Sequence, residues 1–348
     1  ALAVADYADG DYSAAAEKFA TLTELDNDLA QSAWLYLGQC DVKTGNDDAA
    51  AMAFEKAARM DYDRNVSEVA LYNYVAALTR GGKVPFSSSV DMLEGFIKLY
   101  PNSEYTPKVE EYLATAYYNE RNYTKALASI EKIRRPSKDV LAAKQKILYE
   151  LGIESMTNGR PQEASGFFNR SLELASHDRR LAAQTHIWLG DAEYSQGNYA
   201  KASAAYNTFL KSENNSSNRT LALYNLAYSE YQQEKYAAAA REFAKALAAS
   251  PALPATLKAD AVTRMADCQY YTGDYRTARD TYARAKAENA SDADYASYRH
   301  AVMLGLDGDV NGKIKELSEI ENNFPDSKWM PNVLLEKALT YEAIDRND

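Results

Sequence analysis

The chain has 348 residues, of which 46% are hydrophobic, so the sequence can supply a substantial core. Its 50 acidic residues outnumber 39 basic ones and give a net charge of -11, which argues against a nucleic-acid-binding protein because phosphate contacts need a basic stripe. No run of about 18 apolar residues occurs, so no membrane span is predicted. Cys40 and Cys268 fall in apolar helical contexts and are predicted to be buried thiols without a disulfide framework.

Short turns recur along the chain at a nearly constant spacing. Each follows one stretch rich in Ala, Leu, Glu, Lys and Gln, which favour helix, and precedes another. The intervals between turn markers range from 35 to 39 residues, and such a period predicts an α-solenoid of helix pairs. The markers are Gly10, Gly45, Gly82, Arg121, Gly159, Gly197, Glu234, Gly273, Gly308 and Asp345.

The stretch from His186 to Leu210 shows what one unit contains. Leu189-Gly190 lies on its first helical pattern, and Ala202, Tyr206 and Phe209 lie on its second. A small residue lets two helix backbones approach to roughly 8–10 Å, while an aromatic ring fills the space beyond the crossing. Prolines follow the second helix of several units and are expected to end it. They are Pro101, Pro136, Pro251 and Pro325.

The recurring residue pattern resembles that of the tetratricopeptide repeat (TPR) family, W-x2-L-G, then A, F or Y, and a closing P. Three segments carry the resemblance well: Trp34–Ala57, Leu223–Pro251 and Met265–Ala285. The resemblance implies an all-α fold, a right-handed superhelix of about nine TPR-like helix-turn-helix repeats with a period of about 37 residues, against about 34 in the ordinary unit. We expect residues 1–348 to form a single solenoid.

Two junctions carry a narrower resemblance. Tyr100-Pro-Asn-Ser103 and Phe324-Pro-Asp-Ser327 are similar to junctions in bacterial cell-envelope TPR proteins, such as outer-membrane assembly lipoproteins and Tol-Pal-associated periplasmic factors. This implies a periplasmic or outer-membrane-associated location, with a cytoplasmic one as the alternative. Because neither end reads as a finished cap, we expect a segment excised from a longer protein. A membrane tether would come only from a removed N-terminal lipid anchor.

The sequence offers no constellation for catalysis, metal or cofactor binding. His177, His186 and His300 have no metal-ligand spacing and adjoin no nucleophile motif. Asp191 and Asp267 occupy the same first-helix position but two repeats apart, which is too far for a glycosidase pair. We therefore predict a protein that is not an enzyme and that needs no cofactor.

Tyrosines collect on the first helices, at positions that line the concave groove in the resembling family. Tyr224, Tyr228 and Tyr231 share one helical face at i, i+4 and i+7. Tyrosine gives rigid contact area with a polar tip, which binding surfaces favour; the alternative is that these rings pack between neighbouring first helices. The candidate partner-binding residues are Tyr149, Asp191, Tyr194, Tyr224, Tyr228, Tyr231, Asp267, Tyr270, Tyr271, Tyr295 and Tyr298, with Tyr72 and Tyr118 in earlier repeats.

Charge is expected to change along the wall of this concave groove, which the first helices form. An extended partner would then lie with its basic portion near the later repeats. The early repeats carry Lys43, Arg80, Lys108 and Lys146 with Glu111 among them, and the later ones carry Asp191, Asp260 and Asp267. The Lys and Asn pattern with which some TPR proteins bind acidic chaperone tails is absent. Its positions hold Gln39, Ala76, Thr115, Ile153, Asp191 and Tyr228.

We predict a protein-interaction scaffold that binds a peptide or a partner segment along the tyrosine-lined groove. Two alternatives remain open at this point. The chain is also consistent with an accessory solenoid of a larger enzyme, or with a glycan-processing or glycan-binding envelope protein in which tyrosine rings stack on sugars.

Overall fold

The computed structural model describes residues 1–81, 86–212, 218–288 and 292–344. These residues form nineteen α-helices and no strand, which confirms the predicted all-α solenoid fold. The first helices of the pairs are α1 (Leu2–Asp9), α3 (Asp28–Thr44), α5 (Arg64–Gly81), α7 (Thr106–Asn119), α9 (Lys138–Thr157), α11 (Arg179–Ser195), α13 (Arg219–Tyr231), α15 (Ala255–Tyr271), α17 (Ala293–Leu306) and α19 (Met330–Ala343). The second helices are α2 (Tyr12–Leu22), α4 (Asp47–Arg59), α6 (Phe86–Leu99), α8 (Tyr123–Lys132), α10 (Pro161–Leu172), α12 (Tyr199–Ser212), α14 (Tyr236–Ala248), α16 (Tyr275–Glu288) and α18 (Val310–Asn323).

The turns inside the pairs lie where the sequence predicts them. Eight of the ten markers adopt the left-handed conformation, which glycine enters without steric cost. Arg121 at φ 60° and Glu234 at φ 58° adopt it despite their side chains. Beyond the marker Gly197, the amide of Asn198 donates to the carbonyl of Glu193 at 2.9 Å, which closes the end of α11. The markers Gly82 and Asp345 and most of the polar loop at 212–218 lie outside the described residues.

One pairing rule holds each helix pair together. A small residue on the first helix faces a large residue sixteen positions later on the second helix. A Cβ atom placed on Gly190 would lie 2.5 Å from the ring of Tyr206, so only glycine fits there without movement. Full burial of each large side chain stabilises the pair by roughly 1.5–3 kcal/mol. The pairs are Ala3/Phe19, Gly38/Phe54, Ala77/Leu93, Ala114/Ile130, Gly152/Phe168, Gly190/Tyr206, Ala227/Phe243, Ala266/Tyr282 and Ala301/Leu317, all buried.

Glutamines join successive pairs. The side-chain nitrogen of Gln233, just before the turn at Glu234, donates to the Tyr199 carbonyl at 3.1 Å and to the Ser203 hydroxyl at 2.9 Å in the preceding pair. Gln196 makes the same two kinds of bond one repeat earlier. These bonds fix the register between neighbouring repeats because they satisfy polar groups that the packing covers.

The chain divides into two compact units, Ala1–Leu151 and Gly152–Asp348, and each has its own stack of helices. The boundary falls inside α9, and the single solenoid expected over residues 1–348 stays a prediction. Cys40 lies in the first unit and Cys268 in the second, and both are buried and free. Among the described helices, none combines the length and the apolarity needed to cross a membrane.

Candidate partner-binding site

The site begins at a buried tyrosine whose hydroxyl needs an acceptor. Tyr206 fills the packing position of α12 and is 1% exposed. Its hydroxyl donates to Oδ1 of Asp191 at 2.5 Å, and Nδ2 of Asn225 on α13 donates to the same oxygen at 3.1 Å. Burial raises the pKa of the Asp191 carboxyl, and these two hydrogen bonds oppose that rise. Asp191 therefore belongs to the packing of its own repeat as well as to the wall.

Asp267 repeats this arrangement two pairs later, but in a closed form. Its carboxylate accepts from the hydroxyls of Tyr282 at 2.5 Å and Tyr295 at 2.8 Å, and it pairs with the guanidinium of Arg264. The side chain is only 1% exposed. The expectation that Asp267 faces an open groove therefore differs from the structure, because three side chains of its own unit already surround the carboxylate.

Tyr224 and Tyr228 on α13 reach across to the next first helix. Their hydroxyls donate to Oδ2 of Asp260 on α15 at 2.7 Å and 2.5 Å. Burial is the main reason why the pKa of each phenol is raised, and the bond to Asp260 adds to it. These two rings therefore pack between neighbouring first helices, as the alternative interpretation has it, and both residues remain partly exposed.

Two arginines that the sequence reasoning missed change the charge of the later repeats. Arg264 pairs with Asp260 at 3.4 Å as well as with Asp267. The guanidinium of Arg299 lies 4.0 Å from the ring centroid of Tyr270. The later wall is thus not an acidic stretch, since two cations are interleaved with its acids. Both arginines precede the small residue of their helix by two positions, so the repeat register could have identified them.

The basic side chains expected along the groove of the earlier repeats contact other side chains of the protein. Lys108 is paired with Glu111 at 2.6 Å, and Lys146 lies 5.0 Å from the ring centroid of Tyr118. Lys43 lies 5.9 Å from the ring centroid of Tyr12. These cations have partners within their own unit; the side chain of Arg80 lies outside the described part of the chain.

A row of tyrosine rings connects the first and second helices of the second unit. Tyr231 lies 6.4 Å from Tyr228 and 5.5 Å from Tyr236 between ring centroids. Tyr236 stacks on Tyr271 at 4.5 Å, and Tyr271 contacts Tyr270 edge-on at 5.4 Å. Tyr271 is 54% exposed and is the part of the row most accessible to a partner. We call Tyr194, Tyr224, Tyr228, Tyr231, Tyr270 and Tyr271 the tyrosine face.

A pocket of about 320 Å³ opens at one end of the tyrosine face. Four residues predicted from the sequence meet there, Asp191 and Tyr194 from α11 and Tyr224 and Tyr228 from α13. The other lining residues are Ser195, Tyr206 and Asn225. We call this opening the Asp191 pocket.

The remaining candidates lie elsewhere. Tyr149 is half-buried on α9 and belongs to the first unit, whereas the residues of the tyrosine face belong to the second. Tyr298 is 9% exposed and stacks on Trp329 at 5.8 Å between ring centroids, so it is a core residue. Tyr295 contacts the same tryptophan at 4.8 Å. Tyr72 stacks on Tyr105 at 4.4 Å in the first unit.

Across the described ranges, no three His, Cys, Asp or Glu side chains are grouped closely enough to hold a metal ion. His186 and His300 lie at partly buried positions on their helices. His186 is half-buried, and burial lowers the pKa of its imidazole. Nδ1 of His300 lies 3.5 Å from Oε2 of Glu316.

Two family models, each described as tetratricopeptide repeat, match residues 1–64, 149–216 and 189–254 in one case and 260–290 in the other. None of the curated proteins matches the sequence.

Several solved structures are similar. The C-terminal part of a TPR repeat-containing protein from Cytophaga hutchinsonii shares 17% identity, covers 76% of this chain and 98% of its own, and gives a TM-score of 0.41. BtubC of P. vanneervenii shares 17% identity, covers 62% of this chain and 91% of its own, and gives a TM-score of 0.40. PilF of Pseudomonas aeruginosa shares 17% identity, covers 64% of this chain and 93% of its own, and gives a TM-score of 0.33.

These matches do not confirm the narrower resemblance to bacterial cell-envelope TPR proteins. The family models nevertheless match more than half of the residues together, and the described helices follow a regular helix-turn-helix repeat. The chain therefore belongs to the tetratricopeptide repeat family.

Proposed function

We propose that this protein is a non-catalytic scaffold that binds a peptide or a partner segment on the tyrosine face of its second unit. Proteins of the TPR family typically mediate protein–protein interaction and are generally non-catalytic. The observation that carries the finer proposal is the Asp191 pocket, where side chains of two successive first helices surround one opening of about 320 Å³. The ring row continues from this pocket to the exposed Tyr271.

The tyrosine face is suited to binding because its rings are already held in place. The hydroxyls of Tyr224 and Tyr228 are fixed by Asp260, and Tyr231 and Tyr271 are held by ring contacts with Tyr236. A preorganised aromatic surface loses little conformational entropy on association. Partner side chains would therefore meet large apolar areas with polar tips at little ordering cost.

Selection of peptides displayed against the full chain tests this proposal. Hydrogen exchange with a selected peptide should show protection on α11, α13 and α15, beyond that on α12 and α14. Tyr271→Ala should weaken the peptide by about tenfold, as loss of an aromatic anchor does. Tyr62→Ala is the matched control, since Tyr62 is 50% exposed in the first unit against 54% for Tyr271.

Two results would argue against the proposal. One is protection confined to the second helices, and the other is an equal effect of the two tyrosine variants. Saturable binding of cell-wall glycan fragments to the tyrosine face, with no peptide selected, would favour the glycan-binding alternative instead.

We also propose a bacterial envelope location, on the basis of the Y/F-P-x-S junctions. In each junction the serine hydroxyl accepts a hydrogen bond from the backbone amide two residues later. The amide of Tyr105 donates to Ser103 at 3.0 Å, and that of Trp329 donates to Ser327 at 3.1 Å. Fractionation of the source cells with an antibody to this chain tests the proposal, and recovery in the cytoplasmic fraction would contradict it.

A further inference from the structure

Asp191 differs from Asp260 and Asp267 because it forms no ion pair with any cationic side chain that the structure describes. Asp260 and Asp267 both pair with Arg264. Among the ion pairs of the described residues, none includes Asp191, whose Oδ1 accepts only the neutral donors of Tyr206 and Asn225. A half-buried carboxylate without a counter-ion is costly, and a cation brought to it would offset that cost.

The repeat register provides an internal comparison for this pocket. With the small residues Gly190 and Ala227 aligned on Ala266 and Ala301, the two arrangements share most of their side chains. Asp191, Tyr194 and Tyr206 correspond to Asp267, Tyr270 and Tyr282, while Trp188 and Asn225 correspond to Arg264 and Arg299.

Two of the positions that differ are those that supply positive charge in the later arrangement. In the later arrangement, Arg264 pairs with Asp267, and Arg299 lies over Tyr270 at 4.0 Å and donates from Nε to the Tyr282 hydroxyl at 3.3 Å. In the earlier arrangement, both positions are neutral and the opening of about 320 Å³ remains.

The tyrosine rings show the same difference. Cations lie over the rings of Tyr270, Tyr282 and Tyr295 at 4.0 to 5.7 Å. Within the described part of the chain, no lysine or arginine lies over Tyr194, Tyr224 or Tyr228, although all three line the pocket. Cation–π contact with such rings contributes about 0.5–2 kcal/mol, the more when water is excluded.

We propose that the Asp191 pocket binds an arginine side chain of the partner, whose guanidinium takes the place that Arg299 takes in the later repeat. This inference rests on the proposed function and names the chemistry that the tyrosine face recognises. The guanidinium would pair with the Asp191 carboxylate and lie against the tyrosine rings, which suits its planar, weakly hydrated shape. The pocket volume is at the lower end of that found for small-molecule sites, enough for one side-chain end.

A capped amino acid tests this directly. N-acetyl-arginine N-methylamide is titrated into the full chain and followed by NMR of labelled tyrosine, with the uncharged citrulline analogue as its matched probe. We expect saturable shifts with a Kd on the order of 1–10 mM for arginine and binding about tenfold or more weaker for citrulline. Equal binding of the two probes, or no saturation by arginine, would overturn the inference.

Two variants locate the binding. Asn225→Arg copies the later repeat and should abolish probe binding by filling the pocket from within, while Ala200→Arg adds the same charge at an exposed position of α12 and should leave probe binding unchanged. Asp191→Asn keeps an acceptor for Tyr206 and should weaken the probe about tenfold through the lost charge. Probe binding retained in both Asn225→Arg and Asp191→Asn refutes the pocket.

The outcomes separate this inference from the proposed function. If selected peptides protect the tyrosine face but are unaffected by Asn225→Arg and by arginine-to-citrulline replacement, the pocket inference fails and the scaffold function stands. If the arginine probe binds and Asn225→Arg removes it, but no peptide protects the tyrosine face, the scaffold function fails and the pocket chemistry stands.

Discussion

The replacement of Asp267 by alanine should destabilise the second unit more than the replacement of Asp191 by alanine. The carboxylate is 1% exposed and accepts the hydroxyl of Tyr282, which is fully buried, and that of Tyr295. It is also the ion-pair partner of Arg264. Alanine would leave a buried hydroxyl without an acceptor and a largely buried guanidinium with one carboxylate fewer.

The expected magnitude follows from these partners. Breaking a buried ion pair by removing one member costs about 3–5 kcal/mol, and Asp260 keeps part of the pairing with Arg264, which puts Asp267→Ala at the lower end of that range. Asp191→Ala removes an acceptor from Tyr206 and Asn225 but breaks no ion pair. Its cost should be about 1–3 kcal/mol, that of unsatisfied polar groups.

Urea denaturation of the full chain, followed by circular dichroism, measures both variants. Because repeat proteins unfold with nearest-neighbour cooperativity, hydrogen exchange on α15 and α16 should accompany it to locate the loss. Thr115→Ala is the control at the corresponding position of α7, where the side chain is exposed, and should change stability by less than about 0.5 kcal/mol. A cost for Asp191→Ala equal to or above that for Asp267→Ala would refute the reasoning.

Three further predictions concern the backbone and one histidine. Gly152→Ala should cost about 1–3 kcal/mol through overpacking, since its Cβ would lie 2.3 Å from a buried phenylalanine ring. Gly166→Ala, which has open space around it on α10, should instead stabilise the protein by about 0.5–1 kcal/mol. Urea denaturation midpoints of the two variants check that the effects have opposite signs. Glu234→Gly should stabilise by about 1 kcal/mol in the same assay by relieving a left-handed φ of 58°, and a loss of stability would contradict this. Burial lowers the pKa of His186, so below about pH 6.5 the unfolded chain binds more protons than the folded chain, and the free energy of unfolding falls as the pH drops. His186→Phe should make that fall smaller in urea titrations between pH 7 and 5. His177→Phe serves as the control.

The features that were predictable from the sequence are those set by residues close together in the chain. The turn markers follow from a backbone requirement that one residue satisfies, so even Arg121 and Glu234 could be placed by spacing alone. The small-to-large pairs span sixteen positions across one turn, and Gly190 with Tyr206 was identified from sequence. Both depend on geometry that every repeat shares.

The polar contacts between repeats were less predictable because they depend on the side-by-side distance of successive first helices. Tyr224 and Asp260 are 36 positions apart, and only the packed structure shows that the hydroxyl reaches the carboxylate. The sequence pattern of acids and tyrosines did not indicate Arg264, which lies two positions before the small residue of its helix. Its guanidinium offsets one of the two negative charges of Asp260 and Asp267, so this part of the groove is less acidic than the sequence predicts.

The choice between phenylalanine and tyrosine at the packing position explains where the acids of the wall occur. Phe19, Phe54, Phe168 and Phe243 fill this position in four repeats, and the residues after their small partners are Val, Gln, Ile and Tyr. Only the two repeats with a tyrosine there, Tyr206 and Tyr282, carry an aspartate to accept its hydroxyl.

A phenylalanine would fill the same space without a buried polar group, so the stability of the helix pair does not require the tyrosine–aspartate pair. What the pair adds is a carboxylate facing the neighbouring first helix, in two copies that differ in whether a cation accompanies it. In the copy at Asp267, arginines of the chain itself satisfy the charge, which closes the arrangement. In the copy at Asp191, their positions hold Trp188 and Asn225, and the charge is left for another molecule to satisfy.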